Sequence, residues 1–167
     1  MEIEADEYSG QSSTYSNAPS TLTAEDYFYR AYNAPANSHQ FKIDNYDMCI
    51  NLNYKYKSKA YNNRGNAKSK LKDYYGAITD YTKAIELKPD YAIAYFHKGS
   101  NKFDLKDYDG AIADFNKAIE LDPQFAMSYA MRGVAKNMSG KAFCSDFKKS
   151  CELGYEVTCE YYNNQCR

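Results

Sequence analysis

The sequence lacks several features on which common functions depend. Among its 167 residues there is no tryptophan, and there are only two histidines, although histidine is the usual general acid or base near neutral pH. Its mean hydropathy is -0.78, and no apolar run is long enough to cross a bilayer, so membrane insertion is not expected. The 21 basic residues nearly balance the 22 acidic ones, whereas nucleic acid attracts an excess of positive charge. We therefore expect no nucleic-acid partner.

Sequence motifs of catalysis are missing as well. The sequence shows no nucleophile with a neighbouring base, no glycine-rich phosphate loop and no paired carboxylates. Its five cysteines include no C-x-x-C pair, which argues against a redox site of the thioredoxin type. The sequence thus predicts no catalytic residue and no cofactor, and an enzyme is the least favoured class of protein.

Acidic residues are concentrated at the start of the sequence. Residues 1–26 contain six acids and no base, and residues 1–20 mix acids with Ser, Thr, Asn, Gly and Pro. No helical or strand period occurs there, so we predict a mobile acidic, Ser-rich leader over residues 1–22. A solvated leader or linker and a docking segment are both open interpretations. No basic stretch followed by an apolar one precedes it, so a secretory signal is not expected.

The remaining sequence repeats with a period of 34 residues. A tyrosine recurs at this interval, and a small residue follows it by four positions: Tyr27, Tyr61, Tyr95 and Tyr129, then Ala31, Gly65, Gly99 and Gly133. A fixed period of this length is typical of stacked helical units.

Apolar spacing within each unit predicts two antiparallel helices. In residues 58–91, apolar or small residues recur about every 3.6 positions before Lys72 and again after Asp73. Each of the two segments therefore has one apolar face. Pro89 then stops the second helix. One pair cannot bury both of its apolar faces, so each pair must stack on the next. The predicted fold class is all-α, an α-solenoid of antiparallel helix pairs with about 3 to 4 repeats and a C-terminal capping helix.

The repeats differ in regularity. The first is degenerate and opens with a capping box of Thr23 and Asp26, whereas the last is shortened, with Phe147 two residues early after a short turn at Gly140. The predicted boundaries, including the final capping helix, are 23–57, 58–91, 92–125, 126–154 and 155–167.

The pattern of small, aromatic and proline positions resembles the tetratricopeptide repeat (TPR) family. The matching residues of the two regular units are Tyr61, Gly65, Ala77, Tyr81, Ala84 and Pro89, and Tyr95, Gly99, Ala111, Phe115, Ala118 and Pro123. The sequence departs from the family by placing basic residues where Leu and Tyr are usual: Arg64, Lys98 and Arg132, and Lys68, Lys102 and Lys136. We expect their stems to cover apolar surface while their charges stay in water.

The resemblance implies a concave groove lined by the first helix of each unit. The groove residues that it implies are Lys59, Asn62 and Asn66, then Ile93, Phe96, His97, Ser100 and Phe103, then Met127, Met131 and Val134. One end of this set is rich in amides and the other is apolar, so the apolar end suits side chains of a partner segment. Alternatively, that end packs against the C-terminal helix, folded back into the groove.

The resemblance favours a non-enzymatic adaptor or assembly module that binds a protein or peptide of unknown identity. Chaperone-binding TPR domains share a clamp of Lys and Asn, then Asn, then Lys and Arg, of which only Asn66 is matched here. Acidic C-terminal tails of the Hsp70 or Hsp90 type are therefore not expected as partners. The alternative is a structural, self-associating component of a secreted or membrane-attached assembly, with contacts through the convex face or the leader.

Four cysteines follow a symmetric spacing. Cys144 and Cys151 are seven apart on one predicted helix, and Cys159 and Cys166 are seven apart on the next. Antiparallel helices would place Cys144 opposite Cys166 and Cys151 opposite Cys159, in two rungs roughly 10 Å apart along the helix. One zinc ion cannot reach all four sulfurs, so no metal site is predicted.

Two interpretations of these cysteines stay open. They form two disulfides, as the spacing in Sel1-like repeats also suggests, or they are reduced and packed as small apolar residues, like Cys49. Disulfides would indicate a periplasm, lumen or exterior, and reduced thiols the cytoplasm.

Overall fold

The computed structural model describes residues 22–166, which contain nine α-helices and no strand. The helices are α1 (Ala24–Asn33), α2 (His39–Asn51), α3 (Lys57–Lys70), α4 (Tyr74–Leu87), α5 (Ala92–Asp104), α6 (Tyr108–Leu121), α7 (Ala126–Met138), α8 (Cys144–Glu152) and α9 (Glu156–Gln165). Each helix packs mainly against its neighbours along the chain. This order confirms the predicted all-α solenoid. Residues 1–21 of the predicted leader lie outside the described residues.

Within residues 22–166, no helix is both long enough and apolar enough to span a membrane.

Short polar signals set where the helices begin. Thr23 and Asp26 form the predicted capping box at the start of α1. Asp73 and Asp107 accept hydrogen bonds from the backbone N–H groups of Gly76 and Gly110, at 3.0 and 2.9 Å, and so cap α4 and α6. These caps repeat at the interval of 34 residues.

Helix α8 departs from this pattern because its cap is missing. Its N-cap residue Phe143 makes no side-chain capping hydrogen bond, and α8 begins only at Cys144. The helix has 9 residues, against 14 in α4 and α6. Phe147 faces Gly133 as Phe115 faces Gly99, but two residues earlier along the chain, as predicted. The non-helical turn before α8 is nevertheless longer than those before α4 and α6, because the first part of the helix is missing.

The two helices of a pair approach closely where a glycine faces an aromatic ring. A Cβ atom on Gly65 would lie 2.8 Å from a ring carbon of Tyr81, and one on Gly99 would lie 3.0 Å from Phe115. Gly133 stands in the same relation to Phe147. Because real Cβ contacts are longer than this, only glycine allows this spacing between the helix axes.

First helices of successive pairs contact each other: α3 contacts α5, and α5 contacts α7. The resemblance implies that the concave face lies on these helices, and the name groove is used below for the face that they form.

The repeated basic residues are paired rather than left in water, which corrects the expectation for them. Asp80 on α4 lies 2.9 Å from the ammonium of Lys68 and also binds Arg64, both on α3. The same cluster recurs as Asp114 with Lys98 and Lys102, and as Asp146 with Arg132 and Lys136. The aspartate side chains are 2–9% exposed, because the second helix turns them towards the first.

Both predicted disulfides are present in the structure. Cys144 is bonded to Cys166 and Cys151 to Cys159, with Cα–Cα distances of 5.6 and 4.8 Å. Cys49 is a buried free thiol whose Sγ donates to the carbonyl of Tyr46, and burial raises the pKa of Cys49 to about 11. It therefore behaves as a small apolar residue, as expected.

The charge cluster around Asp114 provides a stability test. Asp114→Ala leaves Lys98 and Lys102 mostly buried without a counter-charge, and we expect the free energy of unfolding to fall by about 3 kcal/mol. Urea denaturation measures this value. Combining Asp114→Ala with Lys98→Leu and Lys102→Tyr should recover most of the loss, because no unpaired charge then remains. A single variant as stable as the wild type would show that the cluster does not stabilise its helix pair.

Candidate protein-binding groove

Helix α9 extends the groove as the first helix of a further unit. Val157 and Tyr161 are the second and sixth residues of α9, the positions that Met127 and Met131 occupy in α7. Thr158 is buried, as Ser128 is at the same position of α7. Helix α9 packs mainly against α8, and its Val157 and Tyr161 line one pocket with Met127 and Met131 of α7.

An apolar pocket lies between α7 and α9. It has a volume of about 420 Å³ and is lined by Met127, Ala130, Met131, Val134, Asn137, Met138, Phe147, Tyr155, Val157, Thr158 and Tyr161. No charged side chain lines it. The ring of Phe147, 3% exposed, lies against that of Tyr161 at a centroid distance of 4.8 Å. We call this site the α7–α9 pocket.

The pocket contains three apolar residues of the set implied by the resemblance, all of them on α7. Met127, Met131 and Val134 all line it, and Met127 is 41% exposed at its edge. The α9 residues were absent from that set, because it came only from the repeats that keep the 34-residue register. The repeat of Val157 and Tyr161 after Met127 and Met131, at an interval of 30, is the signal that finds them.

Two of the implied groove residues are buried and thus not available to a ligand. Phe96 is 7% exposed and packs against Phe115 and Phe125, with ring centroids 5.8 and 4.9 Å away. Asn62 is 4% exposed. Spacing along the chain does not reveal this burial.

The middle of the groove is more polar and partly covered. Ile93 is 40% exposed, whereas Phe103 is half-buried against Tyr108. Ser100 is half-buried, and its hydroxyl donates to the carbonyl of Phe96 at 3.0 Å. The exposed Lys59 places its ammonium over the ring of Tyr56. None of these residues joins the α7–α9 pocket.

A second cavity of about 300 Å³ lies at the amide-rich end of the groove. Its lining residues are Tyr32, Ala36, His39, Lys42, Tyr46, Asn63, Asn66, Ala67 and Lys70. Of these residues, the resemblance implied only Asn66. The groove residues that it implied lie on first helices, whereas His39 and Lys42 lie on α2. The carboxamide oxygen of Asn66 already accepts a hydrogen bond from the Tyr81 hydroxyl at 2.8 Å.

His97 is a packing residue. Its ring is stacked on Tyr81 with a centroid distance of 5.6 Å. Burial, with a smaller effect from the positive charge of Lys70, lowers the pKa of His97 to about 4. The imidazole is therefore neutral near pH 7 and carries no charge into the groove.

Comparisons with known proteins agree with this architecture. The chain is a helical solenoid of stacked pairs, and the tetratricopeptide repeat model matches residues 58–91 and 92–125. Residues 58–125 therefore consist of two tetratricopeptide repeats. No curated protein matches the sequence significantly.

Solved structures share the fold over most of the chain. The crystal structure of MamA is 23% identical and covers 80% of each chain, with a TM-score of 0.74. The TPR domain of Arabidopsis OM64 is 25% identical, covering 69% of this chain and 95% of its own, with a TM-score of 0.66. The first TPR of Spaghetti (RPAP3), bound to the HSP90 peptide SRMEEVD, is 28% identical, covering 62% and 86%, with a TM-score of 0.59.

The buried His97 should make stability depend on pH. Its pKa is about 6.5 in the unfolded chain and about 4 in the folded one, so the unfolded state binds more protons between these values. The stability conferred by the neutral ring is complete above pH 6.5 and is lost as the pH falls towards 4. From pH 7 to pH 4, His97→Met should lose about 3 kcal/mol less than the wild type. Equal losses in urea titrations of both proteins would contradict this.

Proposed function

We propose that the chain is a non-enzymatic protein-interaction module that holds an apolar segment of a partner protein in the α7–α9 pocket. The observation that carries the proposal is a pocket at the concave face with an apolar lining and no charged side chain. TPR proteins of this fold are interaction modules, and one similar domain was solved with a peptide bound.

The size and lining of the pocket define the chemistry of its partner. A cavity of about 150 Å³ in another protein binds benzene, so a pocket of about 420 Å³ has room for more than one apolar side chain. Three methionines line it, and their flexible thioether side chains adapt to ligands of different shape. A charged anchor would lose its hydration there without a counter-charge, so the anchoring residues are uncharged.

The pocket differs in chemistry from a clamp for acidic tails. Asn66 is the only residue that fits such a clamp, and its oxygen is already bonded to Tyr81. The α7–α9 pocket lies at the opposite end of the array and has no cation in its lining. These contacts support a partner with an apolar segment rather than an acidic C terminus.

A substitution at the pocket edge tests the proposal. Val157 is 71% exposed in the pocket wall, so Val157→Glu should leave the helices intact while placing a charge beside every bound side chain. Tyr75, on α4 and 74% exposed, lines none of the described pockets, and Tyr75→Glu is the matched control.

Peptides selected from a random display library against the oxidised wild type serve as probes. Those that depend on the pocket should carry uncharged apolar anchors and bind Val157→Glu at least about tenfold more weakly, a loss of 1.4 kcal/mol. Binding to Tyr75→Glu should be unchanged, and both variants should keep their helical circular dichroism. Selected peptides that bind both variants equally well would refute the proposed site.

Light scattering separates this proposal from the alternative of a self-associating structural protein. An interaction module without its partner is expected to be monomeric at micromolar concentration. Ordered oligomers of the isolated chain, undisturbed by Val157→Glu, would favour the alternative instead.

A further inference from the structure

Helix α9 buries few of its side chains. Thr158 is its one buried residue among those described, whereas α7 buries four. It is the last helix of the described residues and packs mainly against α8, with a ring contact from Tyr161 to Phe147, and it reaches α7 through a 3.4 Å hydrogen bond from Asn137 to the Tyr161 hydroxyl. A ten-residue helix is marginal in water without tertiary packing.

Two covalent bonds join α9 to α8, one near each end of the helix. Cys159 lies in the first turn of α9 and is bonded to Cys151, while Cys166 follows its last residue and is bonded to Cys144. Neither end can therefore move away from α8 while both bonds are intact.

Helix α8 is itself attached to the array independently of these bonds. Its Phe147 packs on Gly133, its Asp146 binds Arg132 and Lys136, and its Ser150 hydroxyl donates to the carbonyl of Ala126 at 2.9 Å. All of these contacts are to α7. Loss of the disulfides therefore affects the attachment of α9 rather than that of α8.

We propose that the α7–α9 pocket is redox-dependent: it exists while the two disulfides are intact and is lost when they are reduced. The consequence for binding rests on the proposed function, but the release of α9 does not. A dithiol reductant supplies two electrons and two protons to each bridge, giving two cysteine thiols and the oxidised, cyclic disulfide of the reductant. Helix α9 then separates from α8, the wall formed by Tyr155, Val157 and Tyr161 is lost, and Phe147 becomes exposed.

Hydrogen exchange of the folded protein tests the release of α9 without any ligand. We compare the oxidised wild type, the same protein reduced with dithiothreitol, and a variant with all four bridging cysteines replaced by serine. Amides of α9 should exchange at least about tenfold faster in the reduced protein and in the variant. Amides of α5 and α6 should be unchanged and serve as the internal control.

Two variants lacking one bridge each show whether a single bond suffices. Cys144→Ser with Cys166→Ser frees the end of α9, and Cys151→Ser with Cys159→Ser frees its start. Each should give faster exchange near the freed end only. Cys49 remains in every protein, so its buried thiol cannot account for a difference.

A neutral apolar dye, N-phenyl-1-naphthylamine, reports on the pocket itself. Its fluorescence should show binding to the oxidised protein and at least about tenfold weaker binding after reduction, a change of 1.4 kcal/mol.

The redox-dependent release of α9 and the binding site in the pocket can fail separately, and four outcomes distinguish these cases. Faster exchange confined to α9, with loss of dye binding, supports redox dependence. Unchanged α9 exchange after reduction overturns it, whatever the dye does. Loss of protection in all helices together also overturns it, because the bonds would then stabilise the whole array. Local release of α9 without dye binding to the oxidised protein supports the release and refutes the pocket as a binding site.

Discussion

A buried carboxylate facing two cations recurs in three successive helix pairs, and the geometry of the stack depends on it. Removing Asp80, Asp114 and Asp146 from water is costly, and the cost is offset only when both basic partners of the preceding helix are in place. Arg64 and Arg132 also reach the pair before their own, at Asp47 and Asn116. The same side chains thus orient the helices within a pair and the pairs relative to each other.

The groove follows from this arrangement and from the size of a few side chains. Close approach at Gly65, Gly99 and Gly133 fixes each helix pair, and first helices of successive pairs also contact each other. The α7–α9 pocket lies between the last two first helices of the described residues. The proposed binding site is therefore at the least regular part of the array.

The sequence predicts the helix order and both disulfides, because each depends on spacing along a regular helix. The period of 34 identifies equivalent positions, and the symmetric intervals around Cys151 and Cys159 suffice to pair the cysteines. Spacing does not reveal how deeply the next helix covers a side chain, which is why Phe96 is buried where exposure was expected.

The charge clusters and the start of α8 were missed for similar reasons. An ion pair between residues 16 apart depends on how two helices face each other, although Asp80 and Asp114 recur at the repeat interval and could have suggested it. The start of α8 at Cys144 follows a turn with no side-chain cap, which the spacing of Phe147 does not reveal.

The covalent attachment of α9 also bears on how such a chain evolves. In most solenoids the final helix must fill its inner side and present a hydrophilic outer side, and both demands restrict its amino acids. Here two disulfides hold α9 against α8, so many residues of α9 can change without loss of its attachment. Recognition of new partners can then arise by substitution in this one segment, while the repeats behind it stay as they are.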